Sequence, residues 1–259
     1  MAGFGLVGAW LLLAVVIAVS ILIAVGSVWL ANRMTQIGPE HNSTMSPFMT
    51  VVGLVYGALL GFTVVVAWEQ FHSAALNVSN EASTLTTMYR QTVGMPQPEQ
   101  TQVRELLRKY ATAVEGPEWD KQDIGGTSDT ARVALTDMYR VLGSQQASVA
   151  SSPISQEFLG QLTVLASDRN TRVLDAKPAI PPLLWSSLIF GGVVLITLTG
   201  FLRLSSQRGH VLLSSAVAVL LGLLLFLVFA LDHPFGQLGV TSEPFAHSLE
   251  VFDAVDSGK

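Results

Sequence analysis

Glu69 and His72 stand three residues apart, so on a helix the carboxylate and the imidazole share a face. A second acid–imidazole pair, Asp232-His233, follows an apolar run near the C-terminus, and two arginines, Arg169 and Arg172, are again three apart. Three chemistries suit such groups. Glu-x-x-His serves di-iron bundles, but those need two copies of the motif and further glutamates, and one copy is present. Two carboxylates, two histidines and two arginines at one membrane face would form a ring of salt bridges clamping the structure. The same six at a vestibule would form an ion-selecting or pH-sensing mouth, because charged rings select ions and histidine titrates near neutrality.

What must position them is a membrane fold. Only 13% of the 259 residues are charged, about half the usual share. The deficit falls in four runs, Gly5–Ala31, Phe48–Trp68, Leu183–Leu202 and Val211–Leu231, none with Asp, Glu, Lys or Arg. About 20 such residues in a helix cross the hydrocarbon core. The first run lacks a preceding Lys or Arg and exceeds a signal-peptide core in length, so it is expected to remain as a span. With no cysteine, disulfides and thiolate metal sites are excluded, and a net charge of −5 gives no reason to expect nucleic acid as a partner. No span has an ionisable residue near its centre, which argues against a proton-driven pump. Nucleotide-binding, hydrolase and zinc-protease motifs do not occur, and no cofactor is implied.

Arg33 lies in the short loop after the first span, and Arg203 and Arg208 in that after the third, placing both loops in the cytoplasm. Both termini and the long middle segment would then be extracytoplasmic, although Arg169, Arg172 and Lys177 before the third span weigh the other way.

Residues 69–181 form the one large polar segment. Gly and Pro are absent between Phe62 and Val93, so the second span is expected to continue past the membrane, with Phe71, Ala75, Val78, Ala82, Leu85 and Tyr89 as a heptad-like seam. Pro98 opens a helix carrying Val103, Leu106, Leu107, Tyr110 and Val114, and "EGPEWDKQDIGGTS" reads as a loop broken at Gly125-Gly126. Thr127 or Ser128 caps a helix with Ala131, Leu135, Met138 and Leu142. Ser152-Pro153 starts another with Ile154, Phe158, Leu162 and Leu165 inward. The tail predicts a short amphipathic helix through Phe245, Leu249 and Phe252.

Within the second span Gly53, Gly57 and Gly61 recur every fourth residue. Small residues at that spacing let helix backbones approach in lipid, where apolar side chains gain nothing by leaving acyl chains. The groove suits another span of the same subunit, a subunit interface or a pore-lining face.

Several segments in order carry a family resemblance. They are His41-Asn42, "VVGLVYGALLGFTVVVAWEQF", Glu81-Ala82 with Met88-Tyr89-Arg90, "DRNTRVLDA" before "PPLLWSSLIFGG", and "LDHPFGQL". Over residues 32–250 the chain resembles the bacterial bestrophin-like membrane proteins, the DUF4239 family. The resemblance implies four spans with a helical domain between the second and third, and kinship with bestrophin chloride channels, which are pentamers. The tail acids Glu250, Asp253 and Asp256 are spaced for one helix face rather than for a bestrophin Ca²⁺ clasp.

The sequence thus predicts an all-α polytopic membrane protein with four divisions. Residues 1–68 hold spans one and two, 69–181 a helical extramembrane domain continuous with spans two and three, 182–232 spans three and four, and 233–259 an acidic tail. The expected function is a homo-oligomeric passive channel for an inorganic ion in the cell membrane. Gly53, Gly57 and Gly61 would pack near its axis, Phe62 would form an apolar constriction, and Glu69, His72, Arg169, Arg172, Asp232 and His233 would shape its vestibule. The alternatives are a non-conducting scaffold or sensor that binds a partner through the helical domain, and a metal-binding membrane enzyme.

Overall fold

A computed structural model describes residues 2–34, 41–122, 126–144, 152–202 and 206–258. Gly125 of the expected turn and the loop residue Arg203 lie outside the described residues. Every regular element among the described residues is helical: α1 (Ala2–Met34), α2 (His41–Gln91), α3 (Glu99–Ala113), α4 (Trp119–Gln122), α5 (Asp129–Gly143), α6 (Pro153–Asp175), α7 (Pro182–Phe201), α8 (Gln207–Asp232) and α9 (Glu243–Asp256). The chain divides into two units, residues 1–70 with 178–232 and residues 71–177 with 233–259.

The first unit holds four helices long and apolar enough to cross a membrane, α1, the first part of α2, α7 and α8. Small residues set their contacts. Gly222 of α8 lies against Ser20 of α1, Gly200 of α7 against Ser27, and a Cβ at Gly191 would stand 2.6 Å from the Tyr56 ring. Ser20 and Ser27 donate to their own helix, at Val16 and Ala24 (both 2.8 Å), so neither hydroxyl is left bare in an apolar setting. Tyr56 reaches across to donate to the Leu188 carbonyl at 3.0 Å. At the other end of α7, imidazole Nε2 atoms of His41 and His210 each stand 3.0 Å from a last-turn carbonyl, those of Phe201 and Thr199. Helix C-termini leave such carbonyls without intrahelical partners.

The second unit packs the remainder of α2 with α3, α5, α6 and α9. The seam is present: Val78, Ala82, Leu85 and Tyr89 are buried with Ala74 and Met88. Ser128 caps α5, accepting from Thr130 N, and Ser152 caps α6, accepting from Ser155 N. Two details differ from expectation. The stretch after α3 is not a plain loop but a π-turn (Val114–Glu118) leading into α4, because Glu118 and Gln122 have buried partners to meet. In α6 the inward set is Ser155, Phe158, Leu162 and Leu165, and Ile154 is left exposed, since the first turn is phased to bury Ser155. The C-terminal α9 docks by stacking Phe252 on Tyr89, with ring centroids 4.0 Å apart.

Candidate functional site

Two settings hold the polar and small-residue features that the sequence singles out. In the membrane unit, α2 turns Tyr56, Leu60, Thr63 and Ala67 inward and leaves its other face open. Leu54 and Phe62 are each 73% exposed, and nothing lies within 4 Å of a Cβ built on Gly57 or Gly61. Gly53 has only Leu195 at 4.0 Å. The glycine groove is therefore unfilled among the described residues. Beyond Trp68 the open face of α2 runs through Glu69, His72, Ser73, Leu76, Asn80, Ser83 and Thr87, and from Ser73 to Thr87 it carries no charge. Solvated helices usually carry charge on such a face.

Asp232 is buried at the end of α8. Its Oδ1 accepts from the backbone N–H of Ala179 and Ile180 (2.9 Å each), and its Oδ2 accepts from the Trp185 indole at 3.0 Å. One carboxylate thereby ties the last turn of α8 to the start of α7 by charge-assisted bonds.

In the helical unit Arg172 is wholly enclosed, its side chain 0% exposed. It donates from Nε to Glu81 Oε2 at 2.6 Å, from one terminal nitrogen to Glu118 Oε1 at 2.7 Å, and from the other to Gln122. Glu81 also accepts from Tyr110 at 2.7 Å. Glu118 takes Arg169 at 2.8 Å and the Ser128 N–H at 2.7 Å. Two carboxylates thus balance two guanidiniums, and the charges are compensated by hydrogen bonds as burial requires. Burial and the neighbouring Glu81 charge hold the Tyr110 phenol well above its ordinary value, so it acts as a fixed donor. This cluster joins α2, α3, the π-turn, α4 and α6 around an Arg172–Glu81 pair that solvent does not reach, which suits a clamp rather than catalysis.

The six vestibule candidates are distributed as follows. Glu69 and Asp232 belong to the membrane unit; His72, Arg169, Arg172 and His233 belong to the helical unit. Arg169 and Arg172 meet through Glu118, Asp232 holds backbone and indole, and Glu69 and His72 are exposed. Among the described residues no three of His, Asp or Glu gather as a metal site requires. In the sequence Glu118 and Gln122 read only as part of a loop, Tyr110 as part of an apolar face and Glu81 as part of the family resemblance, none of them as members of a polar cluster. Glu81 offered a signal, because it lies three residues after Val78 and four before Leu85, on the buried seam.

Fold and site together define a polytopic all-α membrane protein. The bestrophin-like domain family matches residues 18–245, and the chain belongs to that family. The fold is similar to that of a bacterial bestrophin homologue from Klebsiella pneumoniae, seen in two crystal structures. Each gives a TM-score of 0.72 at 14% identity and covers 95% of this chain, with 99% and 98% of the other chain covered. A further crystal structure, of a membrane protein, gives 0.73 at 14% identity over 95% of this chain and 98% of the other. No curated protein matches the chain.

Proposed function

We propose that the protein is a homo-oligomeric passive ion channel, with the open face of α2 at or beside the central axis. The observation that carries this reading is the unfilled groove of Gly53, Gly57 and Gly61. Backbone left bare on a membrane helix favours close approach by another helix. The described residues of the chain's own spans leave that place vacant, and a second subunit fills it. The uncharged face from Ser73 to Thr87 extends the same surface beyond the apolar stretch and suits either a subunit seam or a wetted wall. Phe62, 73% exposed, is placed to narrow an apolar conduit, where dewetting can gate. Spans free of central charge suit passive flow, and the family supports a channel without deciding between anion and cation. Glu69, His72, Arg169, Arg172, Asp232 and His233 then act at or behind the mouth, with Arg169, Arg172 and Asp232 as structural supports. Arg33 and Arg208 favour the cytoplasmic side for the short loops of the multi-pass protein, with the helical unit and both termini outside.

The test is ion flux from liposomes containing the purified protein, with chloride and potassium gradients run separately, beside Gly57→Leu. Selective flux in the wild type that disappears in Gly57→Leu is the expected result. No flux of either ion, with a particle mass of a monomer or compact dimer, would support instead a scaffold that binds a partner through the helical unit.

A further inference from the structure

Two helices of the helical unit present a face without charge. On α2 the face is formed by Ser73, Leu76, Asn80, Ser83 and Thr87. On α6 it is formed by Gly160, Thr163, Ser167, Asn170 and Leu174. All of these are exposed, and each set steps by three and four, as one side of a helix does. Asn77 donates to Asp175 at 2.7 Å and Thr84 to Asp168 at 3.3 Å, which lays α2 and α6 side by side and antiparallel. Val78 and Leu85 of α2 enter the same buried core as Phe158, Leu162 and Leu165 of α6. The two exposed faces therefore both point away from that core, on one side of the pair. Charge is turned off them. Between Gly160 and Leu174, α6 carries Asp168, Arg169 and Arg172, and these meet Thr84, Glu118 and Glu81. On other helices of the unit Glu105, Lys109, Arg132 and Arg140 are exposed.

Depletion of charge marks the core of a contact between proteins, whereas a solvated helix keeps its charge. Each face spans 15 residues. A helix of that length is about 22 Å long and two abreast are about 20 Å wide, so the surface is on the order of 400 Å². That is about half of what each partner gives a stable interface, so the surface adds to a contact made elsewhere and does not make one alone. The occupant that fits is a second copy of the chain. Hydroxyls and amides would go unpaired against acyl chains, and an unrelated protein is usually drawn by opposite charge, which this surface lacks. Copies of a chain with a net charge of −5 repel each other, and a neutral face is where they can meet. The same helix, α2, supplies the glycine groove that the proposed assembly fills. We infer that the α2–α6 surface is the subunit contact of the helical unit, with the α2 face of one copy against the α6 face of the next. That head-to-tail pairing covers both faces, whereas α2 against α2 would leave α6 bare. The inference rests on the proposed assembly and assigns the faces that meet in it.

The chain has no cysteine, so a single introduced thiol reports one position. Ser83 and Ser167 stand at nearly one level, each one residue before the Thr84–Asp168 bond, and rotation about an axis parallel to the helices keeps that level in the next copy. Full-length chains carrying Ser83→Cys and Ser167→Cys, each with its own tag, are co-expressed and treated in detergent with a short bifunctional maleimide. A covalent dimer bearing both tags is the expected result. Each thiol should also react with a bulky hydrophilic maleimide at least about tenfold more slowly than Thr136→Cys on the exposed side of α5, because it is reached only when the contact opens. Light scattering on the same samples gives the particle mass. An oligomer in which both thiols react as fast as Thr136→Cys, with no mixed dimer, would overturn the contact and make the surface a wetted wall, leaving the assembly itself intact. A single-subunit mass would refute the assembly and the contact with it.

Discussion

The Nε of Arg172 stands 2.6 Å from a carboxylate oxygen of Glu81, and neither side chain touches solvent. Each charge is tolerable only because the other is there, and Glu118, Tyr110 and Gln122 fill the hydrogen-bonding places that remain. Arg172→Met should therefore lower stability by about 3–5 kcal/mol, the usual loss when one partner of a buried pair is removed. Thermal unfolding in detergent reads it. Adding Glu81→Leu should return part of the loss, since the stranded charge goes too; an additive double variant would contradict the coupling.

Glycines within the membrane unit should differ sharply in their tolerance. A Cβ at Gly191 meets the Tyr56 ring, a rigid neighbour also fixed by its bond to Leu188. Gly191→Ala should cost about 1–3 kcal/mol through overpacking. Gly57→Ala meets nothing among the described residues and should leave subunit stability nearly unchanged. Melting curves of the two variants in dilute detergent separate these cases.

Gly57→Leu carries the proposed assembly. A bulky side chain in the open groove should shift the detergent particle towards the single-subunit mass, measured by light scattering, without unfolding the subunit. An unaltered particle mass would remove the groove from the interface.

Acid should loosen the docking of α9. Burial pushes the Asp256 carboxyl up, but hydrogen bonds from Tyr89 and Arg108, with the attraction of Arg108 and Arg104, outweigh this and leave it below its ordinary value. A depressed folded-state pKa means stabilisation present in full above the unfolded value near about 4, and lost as pH falls through the folded one. Protection of the amides across residues 243–256, the exchange rate taken relative to the intrinsic rate at the same pH, should therefore fall below about pH 4 and stay level between about pH 5 and 7. Asp256→Asn should exchange faster already at neutral pH.

Tyr89 shows why the helices were legible in the sequence and the clamp was not. Its place in the seam and the tail helix follow from period, the four spans from length and hydropathy, and the caps from residue type, which left Thr127 or Ser128 open for α5 and pointed to Ser152 for α6. Periodicity marks the side of a helix that is buried but not the partner that covers it. Arg172 meets Glu81 across 91 positions of chain and Glu118 across 54, pairings fixed only when α2, the π-turn and α6 are assembled. The π-turn was hidden for the same reason, because Gly116 and Pro117 argue locally for a loop. Along α2 the glycine row was plain to read, whereas its vacancy within the chain depends on where α7 and α8 lie.

The two serines of α1 bear on how the protein is made. Gly222 and Gly200, which Ser20 and Ser27 eventually meet, belong to segments synthesised long after α1 has entered the bilayer. At ordinary ribosome speeds the delay is on the order of ten to thirty seconds. During that wait each hydroxyl is already satisfied by a carbonyl of its own helix, at Val16 and Ala24, so α1 can dwell among lipids without soliciting a wrong neighbour. The later helices then meet a surface whose hydroxyls are already satisfied.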